Sequence, residues 1–237
     1  MTEFPHEFEA LLSPAGREVL EGKHAAVGAL SRGGFIAQQG LLNPELLAGC
    51  RELIAGSFSQ MLVETSRPLP PSNSTTESNE DTLPKVGRLL SIPLGAMQRV
   101  LVLSAARAIG LMQMLESESF HRFSERLAGR PLGALMGGQL FANRPGDYAG
   151  PHTDHHPDEP LAKDGYIDVH LTFCSPGVQQ QFIVYQRDGH LSAMAPIAID
   201  GTVTAYHLPL WHYTTPLQAN APEDRRWLVL GTFPFAS

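Results

Sequence analysis

Short apolar runs separated by turn dipeptides fill the second half of the chain, from Leu132 onward. The turns are marked by Pro145-Gly146, Pro176-Gly177, Asp188-Gly189 and Asp200-Gly201. The pattern predicts strands over residues 134–142, 147–153, 166–174, 180–187, 190–195, 202–208 and 226–233. Because short strands at this spacing are typical of antiparallel sandwiches and barrels, we expect this half to adopt one of those two architectures.

The first half of the chain carries helix signals instead. Ser13-Pro14 and Asn43-Pro44-Glu45 each place an N-cap side chain before a proline of the first turn. The apolar residues 96–114 predict a well-buried helix, and a further helix is expected to end at Gly129. A glycine pair leads into a short strand within residues 30–37. The fold class is therefore α+β, mainly β, with helices first.

The composition fits one domain. With 237 residues, 43% of them apolar, the chain can bury a sizeable core. We expect residues 1–131 to be a helical support region and residues 132–237 the β core. The formal charge of −7 argues against broad nucleic-acid binding. Two distant cysteines, no basic leader and no membrane-spanning run predict a cytoplasmic protein that does not enter membranes, and no feature sets its oligomeric state.

Residues 66–84 differ from their surroundings. They are polar, rich in proline and almost free of large apolar side chains. Such a segment cannot bury enough surface to offset the entropy of ordering it, so we expect it to be flexible. It is either a linker or a lid over a site.

Three residues of the β half have the chemistry of a metal site. On a strand His152 and Asp154 point to the same face, so they can offer an imidazole and a carboxylate to one ion. His212, from a distant strand, would add a second imidazole. Two histidines and one carboxylate on one face of a metal are the ligands of non-haem Fe(II) oxygenases. Taken alone the His-x-Asp pattern is weak, and His207 is the alternative distal ligand.

The sequence around these residues resembles a known family. Asn143-Arg144-Pro145-Gly146 followed by Pro151-His152-Thr153-Asp154 is similar to the strand entry of Fe(II)/2-oxoglutarate-dependent oxygenases, especially the prolyl-4-hydroxylase-like branch. Residues 210–217 and 226–233 resemble the strands that carry the distal histidine and a terminal arginine in that family. The ordered combination is specific, although each part alone is not.

The resemblance implies a double-stranded β-helix, the jelly-roll or cupin-like barrel, with the N-terminal helices packed on its outer face. It also implies that His152, Asp154 and His212 hold Fe(II), and that no other catalytic residue is needed. The cosubstrate 2-oxoglutarate would chelate the iron, and an arginine would hold its far carboxylate. Arg226 is the candidate, since a guanidinium pairs well with carboxylates, and Arg225 is the alternative.

The chain departs from the family pattern at two positions. Asn143 stands where the family often has a tyrosine that touches the cosubstrate, and Leu228 stands where a serine or threonine often assists the arginine. Asn143 and Tyr148 are therefore the further candidate cosubstrate residues. Gln139 and Thr172 are alternatives to them.

The implied reaction consumes O2 and 2-oxoglutarate, releases succinate and CO2, and hydroxylates an unactivated C–H bond of a small molecule or peptide. Desaturation or ring closure is the alternative outcome. A zinc hydrolase and a non-catalytic jelly-roll binding protein are the rival hypotheses, because the same ligands can hold zinc.

The substrate would be selected by segments that cover the site, with residues 66–84 and 155–165 as candidates. His155, His156, Asp158 and Trp211 are the candidate substrate contacts. Asp158, with its neighbour Glu159, favours a cationic or amine-bearing substrate.

Overall fold

The computed structural model describes residues 1–66, 88–94, 100–152, 165–187, 190–208 and 210–236. Its helices are a 3-10 helix (Phe8–Leu11), α1 (Pro14–Leu20), α2 (Ala29–Gly33), α3 (Pro44–Phe58), α4 (Val100–Ala108), α5 (Leu111–Leu115) and α6 (Glu118–Ala128). Its strands are β1 (Phe35–Gln38), β2 (Val63–Ser66), β3 (Arg88–Leu94), β4 (Gly137–Asn143), β5 (Tyr166–Cys174), β6 (Val178–Gln180), β7 (Phe182–Arg187), β8 (His190–Pro196), β9 (Val203–Leu208), β10 (Trp211–Thr214), β11 (Gln218–Ala219) and β12 (Arg226–Pro234).

The predicted helix ends are confirmed. The Ser13 hydroxyl accepts a hydrogen bond from the N–H of Gly16 at 3.1 Å and caps α1. The Asn43 side chain accepts from the N–H of Glu45 at 3.1 Å and caps α3. Gly129 ends α6 in the left-handed conformation, with φ of 74°. Within the described residues, no helix is both long enough and apolar enough to cross a bilayer.

The single helix predicted over residues 96–114 is wrong. Two helices, α4 and α5, occupy this region and are separated at Gly110, whose φ is 74°. Val100 and Leu101, expected on the buried face, are 82% and 74% exposed, and residues 95–99 lie outside the described part. The break has a packing cause, because the backbone at Gly110 lies against the carbonyl of Phe4. The apolar pattern gave no sign of that contact.

Two antiparallel sheets form the β part of the molecule. The larger has the strand order β1-β9-β5-β12-β4-β3-β2, and the smaller has the order β10-β7-β8. Side chains from both sheets meet in one buried cluster, among them Tyr166 and Tyr206 from the larger sheet and Ile183 and Tyr185 from the smaller. This is the expected double-stranded β-helix. The N-terminal region is not purely helical, since β1, β2 and β3 extend the larger sheet on both sides.

The strand predictions hold best in the middle of the larger sheet. Strand β5 coincides with the predicted range 166–174. The predicted strand 147–153 is not continuous, and His152 makes only an isolated bridge with His212. The ladder is interrupted by an extra residue: the Thr214 N–H donates to the Ala149 carbonyl and His212 pairs with His152, so three positions on one segment oppose two on the other. Residues 66–84, the expected linker or lid, lie outside the described part of the chain except for Ser66.

The two faces of β5 differ in polarity. All nine residues of β5 are buried, so both of its faces are covered. The outer face joins the main apolar core through Ile167, Val169, Leu171 and Phe173, and the Phe4 ring packs edge-on against Phe173 at 6.2 Å. The alternate residues Tyr166, Asp168, His170 and Thr172 point into the barrel. The helices therefore cover one side of the larger sheet, and the other side faces the smaller sheet across an interior that holds both apolar and polar side chains.

Replacing Gly110 with alanine should destabilise the fold by at least ~1 kcal/mol. A left-handed conformation costs an L-residue roughly 1–2 kcal/mol, and the added Cβ would lie 2.6 Å from the Phe4 carbonyl oxygen. Gly56→Ala is the matched control, because a Cβ there meets nothing within 4 Å inside α3. That control should be stabilising by ~0.5–1 kcal/mol. Chemical denaturation measures both changes, and equal stability of the two variants would contradict this account of the break.

Candidate active site

Two of the predicted metal ligands lie side by side in the barrel. His152 and His212 form an isolated antiparallel bridge, and each backbone N–H donates to the other carbonyl at 3.0 Å. Their ring centroids are 4.4 Å apart. Both side chains are buried, with exposures of 9% and 4%. The structure thus brings together two imidazoles that are 60 positions apart in the sequence.

The hydrogen bonds of these imidazoles fix their tautomers. Nδ1 of His152 bonds to the carbonyl oxygen of Gly150 at 2.5 Å, and Nδ1 of His212 bonds to that of Leu210 at 2.9 Å. A carbonyl oxygen only accepts, so each Nδ1 carries the proton. In the neutral ring Nε2 then bears the lone pair, which is the atom that binds a divalent metal. Both rings are prepared as metal ligands by their own backbone.

The carboxylate ligand cannot be placed in the same way. Asp154 lies in residues 153–164, which are outside the described residues, and so do His155, His156 and Asp158. Among the residues that are described, no group of three histidine, cysteine, aspartate or glutamate side chains could hold a metal ion. The three-ligand set and the loop substrate contacts stay predictions.

The alternative distal ligand lies elsewhere. The His207 ring packs edge-on against Phe235 at 4.8 Å. Burial and the positive charge of Arg130 lower the pKa of His207. The histidine that meets His152 is His212, so the geometry favours it over His207.

Arg226 lies inside the barrel, with only 3% of its side chain exposed. Its described hydrogen-bond acceptors are all neutral oxygens from other segments: the Ile197 carbonyl at 3.0 Å, Gln181 Oε1 at 3.1 Å, Asn143 Oδ1 at 3.5 Å and Thr172 Oγ1 at 3.5 Å. Within the described part of the chain no carboxylate forms an ion pair with it. Burial lowers the pKa of Arg226 to about 10, so the guanidinium is still protonated at neutral pH.

A buried cation surrounded by neutral acceptors is an anion-binding group. Desolvating a charge is expensive, and a carboxylate with paired hydrogen bonds is the partner that best offsets the cost. Arg225 differs, because its Nη1 donates to the Asp224 carbonyl at 2.8 Å near the protein surface. Arg225 lies just before β12, whereas Arg226 is the first residue of the strand and is buried in the barrel. The geometry therefore favours Arg226 over Arg225 as the anion anchor.

Only some of the other candidate cosubstrate residues contact Arg226. Asn143 contacts Arg226, and so does Thr172, one of the two alternatives. Tyr148 is half-buried in the connection after β4, and it is not among the described hydrogen-bond partners of Arg226. Trp211 is half-buried on β10, and strand alternation directs it away from the face that carries His212. The roles of Tyr148 and Trp211 stay predictions.

Sequence reasoning missed two residues of the interior. Gln181 is fully buried and bonds to Arg226. Tyr185 is also fully buried, and its hydroxyl has no hydrogen-bond partner among the described residues. Burial raises the pKa of Tyr185, and the positive charge of Arg226 opposes the rise. Alternation along the predicted strand puts Gln181 and Tyr185 on one face, but it does not tell which face is inside.

An aromatic wall adjoins the imidazole pair. The Tyr206 ring lies 4.8 Å from the His212 ring, and its hydroxyl bonds to Nε2 of His170 at 3.0 Å. Tyr185 pairs with His212 across β7 and β10, and its ring stacks on Phe35 at 3.9 Å. The interior thus runs from the arginine, past Tyr185, to the histidines.

Comparisons with known proteins agree with this architecture. No protein-family model matches the chain, and no curated protein sequence is similar to it. Among solved structures, a prolyl-4-hydroxylase of Pseudomonas putida matches with a TM-score of 0.54 at 15% identity, over 90% of this chain and 98% of that one. A 2OG-Fe(II) oxygenase family oxidoreductase of Burkholderia pseudomallei matches with a TM-score of 0.59 at 14% identity, over 93% and 91%. SnoN, an alpha-ketoglutarate-dependent epimerase of nogalamycin biosynthesis, matches with a TM-score of 0.59 at 13% identity, over 94% and 83%.

At these identities the likeness shows the fold. The chain has the double-stranded β-helix of the 2-oxoglutarate oxygenases over nearly its whole length. One of the three matched proteins is named as an epimerase, so the fold by itself does not specify the reaction.

The two cysteines should be unreactive in the folded protein. Burial is the main cause that raises the pKa of Cys50 and of Cys174 to about 12, and Cys174 lies opposite Arg226 on the neighbouring strand. At pH 8 only on the order of one thiol in 10⁴ would be ionised. A chromogenic disulfide reagent should therefore titrate both thiols after unfolding and neither in the native state. Rapid labelling of the native protein would contradict the burial of Cys50 in α3 or of Cys174 in β5.

Proposed function

We propose that the protein is an Fe(II)- and 2-oxoglutarate-dependent dioxygenase that hydroxylates an unactivated C–H bond of a small molecule or peptide. The observation that carries the proposal is the buried Arg226 guanidinium, which is surrounded by neutral oxygens in the same barrel as the paired imidazoles. A zinc hydrolase would have no use for that cation. The fold shared with 2-oxoglutarate oxygenases supports the proposal independently.

In this proposal His152 and His212 bind the iron through Nε2, and Asp154 supplies the carboxylate. The described residues fit this role, because the Nδ1 atoms of both rings are held by carbonyl oxygens. Bound Fe(II) supplies the redox chemistry that splits O2, so that one oxygen atom enters succinate and the other enters the product alcohol. The protein binds and orients the reactants.

Arg226 would hold the far carboxylate of 2-oxoglutarate. The carboxylate would be the counter-ion of the guanidinium and would form charge-assisted hydrogen bonds with it. The Tyr185 hydroxyl, which is buried without a described partner, would donate a further hydrogen bond to the same carboxylate. Asn143 and Thr172 keep the guanidinium in place from the sides.

The buried barrel would also exclude water from the reaction. His170, Thr172, Tyr185 and Tyr206 are each less than 9% exposed. In an enclosed interior the electrostatic attraction between Arg226 and a carboxylate is stronger than in water. These side chains would therefore shield a bound cosubstrate from bulk water.

The direct test is formation of succinate and CO2 from 2-oxoglutarate by the purified protein with Fe(II), ascorbate and O2. Turnover that rises when a substrate panel is added supports the proposal. Metal binding without decarboxylation would instead support a non-catalytic binding protein. Hydrolytic turnover with zinc would support the hydrolase.

Arg226→Met should raise the Kd for 2-oxoglutarate at least about tenfold. A charge-assisted hydrogen bond contributes ~1.5–3 kcal/mol, and ~1.4 kcal/mol corresponds to a factor of ten. Arg225→Met is the matched control, because this neighbouring arginine lies outside the barrel. It should leave the Kd unchanged. Calorimetric titration in the presence of Mn(II) and without O2 measures the Kd, and equal effects of the two variants would refute the anchor role of Arg226.

His212→Ala should weaken metal binding at least about tenfold, as loss of a metal ligand does. His207→Ala is the control, since its ring packs on Phe235 instead. Titration with Co(II), followed by visible absorption, reports the affinity. Loss of Co(II) binding in the His207 variant alone would reassign the distal ligand.

A further inference from the structure

Gln181 lies between β6 and β7 and is fully buried. Its amide nitrogen donates to the carbonyl oxygens of Asp147 and Thr215, at 3.2 and 2.9 Å. Its amide oxygen accepts from Nη1 of Arg226 at 3.1 Å. One side chain therefore joins the guanidinium to two other segments of the barrel.

The orientation of this amide is fixed by its partners. The two carbonyl oxygens can only accept, so the NH2 group of Gln181 must face them. The amide oxygen is then directed at Arg226, which can only donate. The reversed orientation would leave three buried groups without a suitable partner, and each such group is costly.

The segments that Gln181 contacts are those that carry the imidazoles. Asp147 precedes His152 by five residues, and Thr215 follows His212 by three. The N–H of Leu217 also donates to the Asp147 carbonyl at 3.0 Å, so the two segments are tied to each other at this point. Gln181 thus connects the guanidinium to both histidine segments at once.

Arg226 is held from its other side as well. Its Nε donates to the Ile197 carbonyl at 3.0 Å. With Gln181 on one side and this carbonyl on the other, the guanidinium cannot move along the barrel without losing a buried hydrogen bond. The Gln181 side chain thus fixes the guanidinium relative to the two segments that carry the imidazoles.

We propose that Gln181 is a positioning residue that selects the chain length of the 2-oxo dicarboxylic acid. The inference rests on the proposed function, in which the oxo-acid end binds the metal and the far carboxylate binds Arg226. In this proposal the fixed position of Arg226 would suit the five-carbon 2-oxoglutarate. It disfavours the four-carbon oxaloacetate, which is too short, and the six-carbon 2-oxoadipate, which is too long.

The test compares Gln181→Asn with Gln180→Asn. Gln180 is the adjacent residue, is exposed, and bonds only to the side chain of Gln218 at 2.9 Å in the described structure. The Kd values of the three acids are measured by calorimetry with Mn(II) and without O2, and the Kd of Mn(II) is measured separately. The wild type and Gln180→Asn should prefer 2-oxoglutarate by at least about tenfold, which is the effect of one misplaced charged hydrogen bond.

Gln181→Asn is one methylene shorter and cannot reach both the carbonyls and the guanidinium. Its preference among the three acids should fall to about threefold or less, while the Kd of Mn(II) stays within about threefold of the wild type. A purely structural role would weaken all three acids equally and leave the preference intact. That result would overturn the proposal, and so would a wild type that binds the three acids equally.

Gln181→Glu is the second variant, with Gln180→Glu as its control. The new carboxylate would neutralise Arg226 from within the barrel, so the Kd of 2-oxoglutarate should rise at least about tenfold. If neither Gln181 variant folded, the residue would be required for the fold and the proposal would be wrong. A wild type without Mn(II)-dependent binding of 2-oxoglutarate would refute the proposed function itself.

Discussion

The desolvated guanidinium of Arg226 is the interaction on which the arrangement of the barrel interior depends. Burying a cation is tolerated only when its N–H groups are satisfied. Here the acceptors come from four separate segments, β4, β5, the Gln181 position and the Ile197 connection. The guanidinium therefore orders parts of the chain that are far apart in sequence, and it does so without a described carboxylate. Its charge makes it the described group in the interior that is best suited to bind an anion.

This arrangement is possible because β5 divides the molecule into two environments. Its outer face is apolar and packs with the helices, and its inner face carries hydroxyl, imidazole and carboxyl groups. Apolar burial outside supplies the stability, while the polar interior is shielded from solvent and can support chemistry. The helices of the first half thus serve the site indirectly, because they cover the outer side of the sheet that forms its wall.

The sequence predicted best those features that depend on residues close to one another in the chain. The helix caps at Ser13 and Asn43 follow from side-chain oxygens that accept backbone hydrogen bonds two or three residues away. The strand β5 was predicted at its observed bounds from its short apolar run between turn residues. The histidine pair and Arg226 were found through motif order and family resemblance. What could not be predicted depends on contacts between distant segments: the break at Gly110 against Phe4, and the inward direction of Gln181 and Tyr185. A period of two tells which residues share a face, but only the assembled sheets tell which face is enclosed.

The tautomers of His152 and His212 have a consequence for how such a site changes during evolution. Each ring is oriented by a carbonyl oxygen two positions earlier in its own segment. Every residue type carries that oxygen, so no side-chain replacement at Gly150 or Leu210 can delete it. The orientation of the two imidazole rings therefore does not depend on which side chains stand at positions 150 and 210. Substitutions around these two histidines can therefore leave both imidazoles in the tautomer whose Nε2 binds a metal.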